Sequence, residues 1–162
     1  MNIKFKKYWR KTSLKKLEDG NFLLQHIKQK KPKNFLEVGV FHGVTSRNVC
    51  ELLYLLHGIN FRFTGIDLFS KDVVIQNEFA PSTKFSNPFK YIYYNYIVRL
   101  DPYSFESVSE LLKKFKKNIN IIKGDSNKIL RENLIKFDYV FLDGGHKYET
   151  VKNDLINLTD VI

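Results

Sequence analysis

Three carboxylates in this chain stand where an apolar run meets a turn. They are Glu37 in Phe35-Leu36-Glu37-Val38-Gly39, Asp67 in Phe61-Arg62-Phe63-Thr64-Gly65-Ile66-Asp67, and Asp143 in Phe137-Asp138-Tyr139-Val140-Phe141-Leu142-Asp143. A fourth acid, Asp125, follows Ile119–Lys123 in the turn Gly124-Asp125-Ser126. Gly39 and Gly43 bracket the first turn. They let backbone approach a ligand, and the helix that follows presents unpaired N–H groups at its start. A cradle of this kind normally receives phosphates, but Glu37 would face the occupant with a negative charge. That favours a nucleotide-like ligand with a cationic end. An acid at the tip of the second strand is where a carboxylate holds both hydroxyls of a ribose.

These residues need elements to position them. A helix is predicted from about Val44 to His57, closed by Gly58. The interval from Gly39 to Asp67 suits one strand-helix-strand unit. Ser104 precedes a helical stripe of Phe105, Val108, Leu111, Leu112 and Phe115 ahead of the third strand. After the fourth strand, Tyr148, Val151, Leu155, Leu158 and Ile162 fall on one helical face. Four apolar strands separated by helices imply a parallel, Rossmann-like α/β sheet with helices on both faces and a ligand at the strands' carboxyl ends.

Glu37-Val38-Gly39-Val40-Phe41-His42-Gly43, Gly65-Ile66-Asp67, Gly124-Asp125-Ser126 and Phe137–Asp143 resemble the successive motifs of class I S-adenosylmethionine-dependent methyltransferases. The run Asp143-Gly144-Gly145-His146-Lys147-Tyr148-Glu149, with Val151 and Asp154, is similar to a subgroup of sugar and antibiotic O-methyltransferases and cephalosporin-hydroxylase-like proteins. The resemblance spans roughly residues 21–160 with a divergent middle. It implies methyl transfer from S-adenosylmethionine to a hydroxyl of a sugar or other small molecule. It also implies that Glu37, Gly39 and Gly43 surround the methionine end, and that Asp67 holds the ribose with Leu68 or Phe69 against the adenine. Asp125 and Ser126 would meet the adenine edge. Asp143 would lie beside the methyl group, or ligate magnesium as in metal-dependent relatives.

His146 and Tyr148 are then candidates for substrate contact or proton removal. Methyl transfer is an in-line displacement, so catalysis is alignment plus removal of the acceptor's proton, which a histidine of unperturbed pKa about 6.5 can take. His146 reads equally well as a residue of the helix start with a local hydrogen bond, and Tyr148 as part of the core face above. Relatives continue through a fifth strand whose acids complete the cation site. Asp143 alone cannot build a magnesium site, and an uncovered fourth strand would invite pairing. Truncation of the chain is the simpler expectation, with a missing C-terminal half or a homo-oligomer completing the sheet. Two further readings remain: a non-catalytic cofactor-binding half-domain, and a nicotinamide-dependent oxidoreductase, although the glycines lack Gly-x-Gly-x-x-Gly spacing.

The chain of 162 residues carries a net charge of +10, unevenly placed. Residues 1–34 hold eleven Lys or Arg against two acids, a balance of +9, and the remainder balances at +1. Residues 1–20 therefore read as a basic extension, a solvated tail, ahead of a half methyltransferase domain at 21–162. Its lysines, interleaved with Phe5, Tyr8 and Trp9, could face a polyanion, but nucleic acid is not the expected partner. Asp19-Gly20-Asn21 should break this segment, with Asn21 capping a short helix to Ile27. Residues 70–103, punctuated by Pro81, Pro88 and Pro102, read as an insertion or cap. Its block Tyr91-Ile92-Tyr93-Tyr94-Asn95-Tyr96 would stack on an acceptor or cover apolar sheet surface. No run approaches the roughly 20 apolar residues of a membrane span. A lone Cys50, expected in the core, and the absence of an apolar run after the basic start suit a cytoplasmic protein.

Overall fold

The computed structural model describes residues 3–70, 87–132, 135–145, 147–159 and 162. Four strands, β1 (Asn34–Val38), β2 (Arg62–Asp67), β3 (Ile119–Lys123) and β4 (Tyr139–Leu142), pair in the order β3-β2-β1-β4. Every pairing is parallel. Parallel strands buried on both faces need apolar residues pointing both ways, which Phe35 and Leu36 provide in β1 and Phe63 and Ile66 in β2. On one face Phe35 stacks between Phe63 and Tyr139, with ring centroids 5.7 and 5.0 Å away. Against it pack α1 (Leu17–Lys30) through Leu23, Leu24 and Ile27, and α2 (Val44–His57) through Val49, Leu52 and Leu53. On the other face Leu36, Val38 and Ile66 meet Leu130 of α5 (Ser126–Glu132) and Leu158 of α6 (Tyr148–Leu158). This is the expected sheet with helices on both sides. Cys50 is fully buried within α2, as its apolar neighbours suggest.

The N-terminal residues are not a solvated tail. Phe5 and Arg10 are buried. Helix α1 starts at Leu17 and runs through residue 20, the expected end of the extension. Gly20 suits the helix interior because the Phe5 ring lies on it: a Cβ there would sit 2.3 Å from Phe5 Cγ. Asn21 does not cap a helix; its Oδ1 accepts the Phe5 N–H at 2.8 Å. Buried Asn48 of α2 completes the attachment, accepting from Lys6 N at 2.9 Å and donating to Lys6 O at 2.8 Å. Two amide side chains thus pair an extended segment that has no strand beside it.

Two other expectations are corrected. In α6 the buried residues are Asp154, Asn157 and Leu158; of the face chosen from apolar spacing Leu158 alone is buried, whereas Tyr148, Leu155 and Ile162 beyond the helix are exposed. The reason is polar: Asp154 accepts from Ser126 at 2.7 Å and Asn157 bonds both Asn127 and Arg131. The segment between β2 and the next long helix forms α3 (Pro88–Ile92), which continues as a wider π-helical turn over Tyr93–Val98. Its tyrosines do not blanket the sheet. Only Tyr94 is buried among them. Residues 71–86 of the expected cap lie outside the described residues. Helix α4 (Phe105–Leu112), capped by Ser104, leads into β3 and buries Val108 and Leu112.

Candidate ligand site at the strand ends

Register places the predicted acids at one level. Val38 faces Ile66 on one side and Leu142 on the other, so the next residues, Gly39, Asp67 and Asp143, end their strands together. Backbone bonds tie these tips: Gly39 N–H donates to Ile66 O at 2.9 Å, Asp143 N–H to Val38 O at 2.8 Å, and Gly124 N–H to Asp67 O at 2.9 Å. Gly39, at φ +92°, has no room for a side chain, since a Cβ would lie 2.3 Å from Asp143 O. Gly43, at φ +74°, turns the chain into α2. The turn after β3 puts Asp125 and Ser126 beside this level, although the Ser126 hydroxyl is given to Asp154.

Glu37 is wholly buried. One carboxylate oxygen accepts from the Ser46 hydroxyl of α2, and the other, Oε1, has no partner. Burial pushes its pKa well above the ordinary range, and the negative charges of Asp143 and Asp67 push it further. Asp67 is held differently. Its Oδ2 accepts from Phe41 N at 2.7 Å, and its Oδ1 accepts from Phe69 N at 2.8 Å and from the Tyr103 hydroxyl at 3.0 Å. Burial raises its pKa too, and these donors oppose the rise. The Tyr103 phenol in turn is pushed upward by burial and by Asp67.

A small cleft opens at the ends of β1 and β4, lined by Lys11, Thr12, Ser13, Gly39–Thr45 in part, and Asp143. The Ser13 hydroxyl donates to Asp143 Oδ2. Glu37, Gly39, Asp67 and Asp143 are therefore brought together. Leu68 follows Asp67 on the same loop. Tyr148 is not part of the cluster: it is 74% exposed at the start of α6, with Lys152 over its ring. His146 lies outside the described residues. Among the described residues no three His, Cys, Asp or Glu side chains come together to hold a metal ion.

The match to known proteins follows this geometry. Residues 36–162 match the profile of a methyltransferase domain family. The chain belongs to that family. By sequence, no curated protein matches it significantly. By structure, this methyltransferase domain is similar to the SAH-bound methyltransferase PaMTH1 of Podospora anserina, with a TM-score of 0.57 and 15% identity over 90% of this chain and 47% of that one. It is also similar to the O-methyltransferase TomG of Streptomyces achromogenes, involved in tomaymycin synthesis and solved with SAM. There the TM-score is 0.54 and the identity 15%, over 90% of this chain and 51% of that one. The chain spans about half the length of these structures, and at this identity they establish the shared fold.

Sequence reasoning missed Ser46, Ser13, Tyr103 and Arg10. The first three carry no local signal, because each meets its acid from another element. Arg10 had one: it is the single arginine among the eleven basic residues of 1–34. A planar guanidinium with five donors suits a buried multiple contact in a way that lysine does not.

Proposed function

We propose that this domain binds S-adenosylmethionine at the ends of β1, β2 and β3 and serves methyl transfer to a hydroxyl of a sugar or other small molecule. The observation that carries the reading is Glu37 Oε1, a carboxylate oxygen buried without a partner at the strand ends, near Asp67 and Asp143. A buried acid that lacks a donor suits a ligand bearing a cation. The ammonium of the methionine end is such a group, reached directly or through water. Gly39 and Gly43 keep side chains out of the backbone's approach to it. Asp67 holds the ribose hydroxyls, Leu68 or Phe69 lies against the adenine, and Asp125 with Ser126 meets the adenine edge.

The bound cofactor supplies a methyl group activated on a sulfonium. The chain's own residues align the acceptor and take its proton. Asp143 stands at the acceptor side of the crevice, and His146, three residues on, is the base assigned to the acceptor's hydroxyl. Tyr148, exposed at the start of α6, is the second residue assigned to acceptor contact.

Titration calorimetry with S-adenosylhomocysteine tests the reading. Asp67→Ala removes charged hydrogen bonds that contribute about 1.5–3 kcal/mol, so binding should weaken roughly ten- to a hundredfold. Far-UV circular dichroism checks that the fold survives the loss of a partner for the Phe41 and Phe69 amides. Unchanged affinity in a folded variant would remove Asp67 from the site.

A further inference from the structure

The groups that the cofactor reading assigns to the ligand already hold hydroxyls of this chain. Asp143 Oδ2 accepts from Ser13, and Asp67 Oδ1 accepts from Tyr103. Asp67 Oδ1 has no capacity left: a carboxylate offers about four acceptor sites, two on each oxygen, and Phe69 N and the Tyr103 hydroxyl both engage Oδ1, while Phe41 N engages Oδ2. A ribose diol cannot be held by both oxygens until the Tyr103 hydroxyl leaves.

The two hydroxyls belong to segments that one buried side chain joins. Arg10 Nη2 donates to Ser107 O and Ser107 Oγ, each at 3.0 Å, and Nη1 donates to His42 O at 3.1 Å and Pro102 O at 3.5 Å. Its guanidinium also lies 6.0 Å from the centre of the Tyr94 ring. Arg10 therefore binds the turn carrying Tyr103, the loop after β1 and the strap that continues to Ser13. Lys11, Thr12 and Ser13 of that strap form a wall of the cleft. The cleft has about 10 Å³ of space for water-sized groups, far below the roughly 300 Å³ at which drug-sized ligand pockets begin.

We propose that Arg10–Ser13 form a latched strap that closes the strand-end cleft, with the Ser13 and Tyr103 hydroxyls standing in for ligand groups on Asp143 and Asp67, so that a ligand enters only when the latch opens. The part concerning the ligand rests on the cofactor reading above; the latch itself does not. When only the open fraction is competent, the apparent affinity falls by that fraction, and variants that weaken the latch bind more tightly.

Hydrogen exchange by mass spectrometry on the ligand-free chain reads the latch, and calorimetry with S-adenosylhomocysteine reads its consequence. In Arg10→Gln and Ser13→Ala, amides of residues 6–14 should exchange severalfold faster than in the wild type. Arg10→Gln could unfold more than the strap, because it leaves buried carbonyls unpaired. Ser13→Ala and Tyr103→Phe each remove a single hydroxyl, and they should bind S-adenosylhomocysteine roughly three- to tenfold more tightly. Unchanged exchange in Ser13→Ala would overturn the latch. Faster exchange with weaker binding would overturn exclusion and make the strap a clasp that holds the ligand. If exchange accelerates but no form of the chain binds S-adenosylhomocysteine, the latch stands and the cofactor reading fails.

Discussion

Replacing Glu37 by Gln should make the protein more stable and a poorer binder of a cationic ligand. Glu37 is buried, its Oε1 lacks a donor, and two further acids lie near it. An unsatisfied buried polar group costs about 1–3 kcal/mol, more if charged. The Gln amide keeps an oxygen for the Ser46 hydroxyl but brings an NH2 that also needs partners, so the lower part of that range applies. A gain of about 1–2 kcal/mol corresponds to a rise in Tm of roughly 3–6 °C for a chain of this size. The effect depends on pH with a definite sign. An unfolded Glu loses its proton near pH 4.3, and the folded one keeps it to higher pH because its pKa is raised. Above about pH 4.3 the folded state thus binds more protons, and wild-type stability falls as pH rises towards the folded pKa. Gln does not titrate, so the advantage of the variant should widen across that window. Thermal melts of both proteins at pH 5, 6.5 and 8, with and without S-adenosylhomocysteine, make the comparison. A variant that melts below the wild type at pH 8, or a difference that does not vary with pH, would refute the reasoning.

Gly20→Ala should destabilise by about 1–3 kcal/mol, although Gly→Ala in a helix interior ordinarily gains about 0.5–1 kcal/mol, because the Cβ would enter the Phe5 ring; urea titration reads the sign. Cys50, buried and with its thiol pushed well above its ordinary pKa by that burial, should resist Ellman's reagent in the native protein and react in step with unfolding, so rapid native labelling would contradict its placement.

The sheet was legible in the sequence because its signals are local. Each strand is an apolar run that ends on Glu37-Val38-Gly39, Asp67, Gly124 or Asp143, and α2 starts and stops on glycines at the predicted residues. Parallel pairing follows from helices between strands, so the convergence of Gly39, Asp67 and Asp143 at one level is a consequence of topology that the motif spacing already carries. Tertiary structure alone decided the rest. Arg10, Ser13, Asn21 and Asn48 fold the basic segment onto the domain through contacts between residues 16 to 130 apart in the chain, and composition reads the same residues as a tail. Helix α6 turns Asp154 and Asn157 inward to meet α5, a polar interface that apolar periodicity cannot register. Hydrophobic pattern records which residues avoid water, whereas a buried hydrogen bond depends on where a partner from a distant element comes to rest.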